Sequence, residues 1–270
     1  MPELPEVETI RTGLQQELPG RKILKVWTDT PKLLSPELAE FEKKVIDQRI
    51  VRIDRRAKLI FIWLENGLAI NAHLKLTGRL LVREKGDPPD EWQHVVLTLS
   101  GQKELRFCDL RKFGWLRVLT KDQIGAELAK YGPEPLDDLT LVLFNQALAS
   151  TRRAVKTVLL DQTKFAGIGN IYANDALFLA KINPSRPAND LSVQEGARLF
   201  EALETVLKAG LKYRGASDNH YLDAFGKKGQ YQNHFLVYGR TNQPCPNCQG
   251  KIERKMIGGR GTFWCSACQK

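Results

Sequence analysis

The chain opens Met1-Pro2-Glu3-Leu4-Pro5-Glu6-Val7-Glu8. A small residue at position 2 permits removal of the initiator Met, which leaves a secondary amine beside carboxylates. An α-amino group titrates near ~8, so a proline terminus is partly unprotonated near neutrality and can attack an aldehyde-level carbon without a separate strong base. The product is an iminium, which keeps its positive charge without a proton and serves as an electron sink when the bond β to it breaks. The same residues also suit the first turn of a helix, where Pro needs no N–H partner and carboxylates complement the dipole. The segment alone leaves both readings open.

A second chemical pattern closes the chain. Cys245-Pro246-Asn247-Cys248 and Cys265-Ser266-Ala267-Cys268 are separated by sixteen residues, the double-knuckle spacing of a four-thiolate zinc site. Such a site holds one structural Zn2+ and has no open coordination position for catalysis. Disulfides, the other reading, fit poorly with a chain that shows no secretory signal. Cys108 stands alone in an apolar run and reads as an ordinary buried residue. Arg260 lies between glycines at the turn of the intervening hairpin, where it is either a phosphate contact or a solvated side chain.

Lys and Arg number 41 against 31 Asp and Glu, a net charge of +10. That excess suits a polyanionic partner, nucleic acid first and an anionic membrane surface second. The longest clean apolar run, Leu59 to Leu64, is far too short to span a bilayer. The acidic start is unlike a secretory signal, so a cytoplasmic location is expected.

These residues need elements to position them. Leu4, Val7, Leu14 and Leu18 recur at helical spacing and predict a helix from about Glu3 to Leu18. Strands are predicted at 22–28, 49–54, 59–64, 68–74, 79–82, 95–99, 104–108 and 115–119, with hairpin signals at Asn66-Gly67 and Ser100-Gly101. Past the proline-rich link Gly132-Pro133-Glu134-Pro135 the pattern turns helical, over 139–150, 152–160, 170–181 and 192–211. The expected organisation is an α+β multidomain chain. It comprises a helix with a β-sandwich over 1–130, a helical domain over 131–214, a Gly- and Lys-containing loop and connector over 215–240, and a zinc hairpin over 241–270.

The motifs together resemble the formamidopyrimidine-DNA glycosylase family, part of the group that also contains the endonuclease VIII enzymes. The resemblance rests on residues 2–9, Arg55-Arg56-Ala57-Lys58, His73-Leu74-Lys75-Leu76-Thr77-Gly78, Asp109-Leu110-Arg111-Lys112-Phe113-Gly114, Gly132-Pro133-Glu134-Pro135-Leu136, Gly167-Ile168-Gly169-Asn170-Ile171-Tyr172-Ala173, Val237-Tyr238-Gly239-Arg240 and the zinc hairpin. It implies a helix-two-turn-helix domain between the β-sandwich and the zinc finger. The implied partner is damaged double-stranded DNA, met by a monomer of a bacterial, nucleoid-associated type with no membrane.

By the same resemblance Pro2 attacks the deoxyribose C1′, Glu3 is the general acid on the ring oxygen, Glu6 orders the terminus, and Lys58 completes the catalytic set. Contacts to the backbone fall to Lys58, His73, Lys156, Asn170, Tyr238 and Arg260. Each has a plainer reading: Lys58 as a solvated strand end, His73 as a satisfied strand histidine, Asn170 as a helix N-cap. A base must leave the stack to react, so the gap needs filling. The resemblance gives that role to Leu76, Arg111 and Phe113. Leu76 departs from the Met usual in the family and keeps an apolar wedge of similar volume. Leu76 and Phe113 also read as core residues. Leu4 fits the formamidopyrimidine branch, which implies excision of oxidised purines such as 8-oxoguanine and formamidopyrimidines, followed by β,δ-elimination. Excision of oxidised pyrimidines and non-catalytic lesion binding are the alternatives.

Overall fold

The computed structural model describes residues 1–218 and 220–270. Asn219, inside the loop of 215–240, lies outside them. The chain forms two compact units, one of Met1–Ala129 with Tyr213–Gln232 and the other of Lys130–Lys212 with Asn233–Lys270. The expected connector is therefore divided, its first part grouping with the β-rich unit and its remainder with the helical one.

In the first unit α1 (Leu4–Glu17) starts from Glu3 as N-cap, with Pro in the first turn and Glu6 at the third position. Its stripe Leu4, Val7, Ile10, Leu14 is buried. Then follow β1 (Ile23–Thr28), β2 (Leu34–Ser35), α2 (Leu38–Val45), β3 (Ile50–Arg56), β4 (Leu59–Leu64), β5 (Ala69–His73), β6 (Gly78–Glu84), β7 (Gln93–Leu99), β8 (Lys103–Asp109), β9 (Trp115–Leu119) and α3 (Lys121–Leu128). They make a four-stranded sheet, β1-β7-β8-β6, and a five-stranded sheet, β2-β9-β5-β4-β3. Side chains alternate across a strand. Ile60, Ile62, Ile70, Ala72, Leu116 and Val118 thus join Leu80, Val95, Leu97 and Leu105 of the other sheet in one core, while His73, Trp115 and Arg117 take the opposite face of the five-stranded sheet.

Two helices were absent from the sequence reading. α2 is too short to be stable alone and is held by burial of Phe41 and Val45, one turn apart. α3 begins at a Thr120–Gln123 capping box, a T-x-x-Q signal that sequence alone offers.

The second unit contains α4 (Leu141–Ala149), α5 (Val155–Leu159), α6 (Asn170–Leu179), α7 (Val193–Lys212) and the hairpin β10 (Glu253–Ile257) and β11 (Arg260–Trp264). Gly258 and Gly259 both have positive φ, 56° and 71°, as a two-residue turn matched to the strand twist requires. Among the described residues no helix is long and apolar enough to cross a membrane.

Candidate active site

At the start of α1, Pro2 is buried and Glu3 and Glu6 are 3% and 1% exposed. Glu6 uses both oxygens. Oε2 accepts the Glu3 N–H at 2.8 Å and Oε1 accepts the Ala216 N–H at 2.8 Å, so one carboxylate ties the terminus to the 213–232 loop. Gly215 sits beside it with φ +81°, and a Cβ there would lie 2.8 Å from both Cγ and Oε1 of Glu6. Both the positive φ and the lack of space call for glycine.

Glu8 links this helix to the β3–β4 turn. Its Oε2 accepts from Arg55 Nε at 2.8 Å, and Arg55 Nη1 donates to the Ala57 carbonyl at 2.9 Å. Burial would raise the Glu8 carboxyl, but the bonds and charges of Arg11 and Arg55 outweigh it and hold its pKa below the usual value. Arg56 pairs with Leu59, so Ala57 and Lys58 form the turn, with Ala57 at φ 54°. Lys58 is 7% exposed, which rules out the reading as a solvated strand end.

His73, at the end of β5, accepts the Lys75 N–H on Nδ1 at 2.9 Å. Burial, reinforced by Lys75, Lys58 and Arg117, depresses its pKa to about 3. The ring is therefore neutral near pH 7 with its hydrogen on Nε2, a donor suited to an anion. Leu76 and Phe113 are 38% and 53% exposed and do not belong to the core. The Arg111 guanidinium lies 4.6 Å from the Phe113 ring centroid. Beneath them Asp109, wholly buried, accepts N–H groups of Phe113 at 2.8 Å, Gly114 at 2.7 Å and Arg111 at 3.2 Å. The Thr77 hydroxyl donates to the same carboxylate and accepts the Arg111 N–H at 3.1 Å. Sequence reasoning did not single out Thr77 or Asp109, although both lie in the quoted motifs.

The second unit assembles its own set. Gly169, not Asn170, is the N-cap of α6. Asn170 instead donates from Nδ2 to the Gly261 carbonyl at 3.1 Å, and Asn174 Oδ1 accepts the Phe263 N–H at 2.8 Å. Asp175, buried on the same helix, accepts N–H groups of Leu236 at 3.2 Å, Val237 at 3.0 Å and Tyr238 at 3.3 Å. Tyr238 meets Phe235 and Phe263 edge-on, at 5.2 and 5.1 Å. Arg260 is exposed at the hairpin tip. The four thiols of Cys245, Cys248, Cys265 and Cys268 lie within 4.8 Å of one another, with Cys245–Cys268 at 3.8 Å and Cys248–Cys265 at 3.6 Å. A tetrahedral zinc with ~2.3 Å bonds demands sulfur separations of about 3.8 Å. The residues fit one structural ion.

Family models match along the chain: the formamidopyrimidine-DNA glycosylase N-terminal domain over residues 1–116, the formamidopyrimidine-DNA glycosylase H2TH domain over 131–220, and the zinc finger found in FPG and IleRS over 242–270. The chain belongs to the formamidopyrimidine-DNA glycosylase family. It is 44% identical to the formamidopyrimidine-DNA glycosylase of Herpetosiphon aurantiacus and 42% identical to that of Pelotomaculum thermopropionicum, covering 100% of this chain and 100% and 99% of theirs. Its fold matches the Lactococcus lactis FPG mutant G226P, solved in complex with a Fapy-dG containing DNA, with a TM-score of 0.94, 31% identity and full coverage of both chains. A MutM structure in complex with carbocyclic 8-oxo-G containing DNA matches with a TM-score of 0.91, 31% identity and full coverage of both chains.

The family assignment makes the chain a DNA glycosylase with a one-zinc finger. Within that frame the placement of Lys156 corrects an expectation. It has no exposed surface, and Nζ donates to the Gly261 carbonyl at 2.8 Å and to Thr262 Oγ1 at 2.7 Å. Lys156 therefore braces the hairpin that carries Arg260 instead of offering an ammonium at the surface.

Proposed function

We propose that this glycosylase excises oxidised purines, 8-oxoguanine and formamidopyrimidines, from duplex DNA and then cuts the backbone as an AP lyase, with the Pro2 amine as nucleophile. The observation that carries the reading is the clamped start of α1. Glu6 bonds both Glu3 N and Ala216 N, so a Pro2 amine has a fixed place beside a buried Glu3 carboxyl. The purine preference is supported by Leu4 and by the lesions bound in the similar structures.

In this mechanism Glu3 protonates the deoxyribose ring oxygen while the Pro2 nitrogen bonds to C1′. The C1′–base bond breaks and the base departs with its electron pair and the proton that the Pro2 nitrogen gives up on bonding. The C1′–O4′ bond then breaks, its electron pair staying on the oxygen that Glu3 protonates, and the Pro2 lone pair forms the C1′=N+ bond. The resulting iminium accepts electrons as a proton leaves C2′ and the 3′ phosphate departs, and a second elimination releases the 5′ phosphate. Lys58, His73, Asn170, Tyr238 and Arg260 hold phosphates, and Leu76, Arg111 and Phe113 fill the space the base leaves. The four cysteines hold zinc, which stabilises the finger.

Pro2 has a free amine only after Met1 is removed. Processed protein mixed with an 8-oxoguanine duplex and borohydride is expected to give a stable cross-link at residue 2, while a Met1-retaining form gives none. A cross-link mapped to an internal lysine, or full activity with Met1 retained, refutes Pro2 as nucleophile. Faster excision from a thymine glycol duplex refutes the purine preference.

A further inference from the structure

One end of the five-stranded sheet carries a row of polar groups. Lys58 occupies the β3–β4 turn, His73 closes β5, Trp115 opens β9 and Lys32 precedes β2. The pairs Leu59↔His73 and His73↔Trp115 set the first three side by side, and the parallel pair Leu34↔Leu116 brings Lys32 alongside. Three steps of about 4.8 Å from β4 to β2 make about 14 Å.

The row ends in an open pocket of about 440 Å³, walled by Lys32, Lys112 and Arg117 with Phe113 and Trp115. Among the described residues no carboxylate lines it. Arg117 lies 4.1 Å over the Trp115 ring, a contact that holds the guanidinium by its face and leaves its edge for bidentate bonding. Lys112 is drawn toward Asp29, but that carboxylate already accepts from Thr30 at 2.7 Å and bonds His94 at 2.9 Å. Three exposed cations thus converge on one concave space and give it a positive potential that attracts an anion.

We propose that this pocket is a further phosphodiester site, which takes one backbone phosphate of duplex DNA flanking the position where Phe113 inserts. The inference rests on the reading that His73 and Phe113 face DNA.

The test is equilibrium binding of the zinc-loaded protein to a duplex carrying a tetrahydrofuran abasic analogue, over a salt series. Lys32→Ala/Arg117→Ala is expected to lower the slope of log K against log salt by about 0.9, the value for one phosphate. Lys32→Arg/Arg117→Lys, which keeps both charges, is expected to retain the slope. An unchanged slope in the alanine pair overturns the proposal, as does an equal loss in the charge-retaining pair. Single methylphosphonates walked along each strand locate the phosphate. At one position, on the damaged or the complementary strand, the alanine pair should have no further effect, and absence of any such position also refutes the site. Phe113→Ala run in parallel separates the two failures. If it weakens binding to this duplex and the alanine pair leaves the slope unchanged, the pocket alone is wrong; if it leaves the affinity unchanged as well, the reading that this face meets DNA itself fails.

Discussion

Thr77 and Asp109 join the two loops that carry the exposed side chains Leu76, Arg111 and Phe113. The Thr77 hydroxyl donates to the Asp109 carboxylate and accepts the Arg111 N–H, while the same carboxylate takes the N–H groups of Phe113 and Gly114. The backbone next to Leu76 is thus tied through Thr77 to the Arg111–Phe113 loop by a network centred on a fully buried carboxylate.

Thr77→Val, close in volume but without the hydroxyl, is expected to lose about 1–3 kcal/mol of stability, because the carboxylate and the Arg111 N–H each lose a partner. Single-turnover excision from an 8-oxoguanine duplex should fall more than cleavage at a pre-formed abasic site, since the wedge proposed for Leu76, Arg111 and Phe113 acts when an intact base is extruded. Thr77→Ser should restore both. Equal losses on the two substrates would mark the network as purely structural.

The depressed His73 pKa has a definite sign. An unfolded histidine titrates near ~6.5, whereas burial and the neighbouring Lys75, Lys58 and Arg117 hold the folded group to about 3. Between those values the unfolded chain binds a proton that the folded chain does not. Stability is lost as pH falls through this window, by up to about 1.4 kcal/mol per unit. Denaturant unfolding of His73→Gln should show a shallower decline between about pH 6 and 4 than the unsubstituted chain. Parallel curves would contradict the assignment.

Lys156 braces the Arg260 hairpin through Gly261 and Thr262. Lys156→Met removes both bonds with similar bulk and leaves a buried carbonyl and hydroxyl with fewer donors. DNA affinity is expected to fall as it does in Arg260→Ala, and the double variant to fall little further, because both act through one tip. Additive losses in the double-mutant cycle would show that Lys156 acts independently of Arg260.

Zinc removal is expected to unfold the finger, whose hairpin is too small to keep a core of its own, so metal binding and folding are coupled. Cys248→Ser or chelation should abolish duplex binding while far-UV circular dichroism of the β-rich unit persists. Metal analysis of fresh protein should give one zinc per chain, and a metal-free protein that binds DNA normally would refute the coupling.

The sequence by itself determined what depends on local chemistry and short spacing. The Cys-x-x-Cys pairs specify a metal knuckle, because a tight turn alone brings two sulfurs together. The apolar periods of 59–64 and of Leu4 to Leu14 likewise specify a strand and a helix. The motif around Pro2, Glu3 and Glu6 pointed to the end of the chain now proposed as catalytic. Only the tertiary structure decided what depends on contacts distant in sequence. It bonds Glu6 to Ala216 across 210 residues and buries Lys156 against a hairpin 105 residues away. It also sets Asp109 under a loop begun at Leu76 and stabilises α2 through Phe41 and Val45. A lysine or an aspartate has the same identity whether it faces solvent or an inward carbonyl. Which it faces is settled by the packing of elements whose relative placement no local pattern encodes.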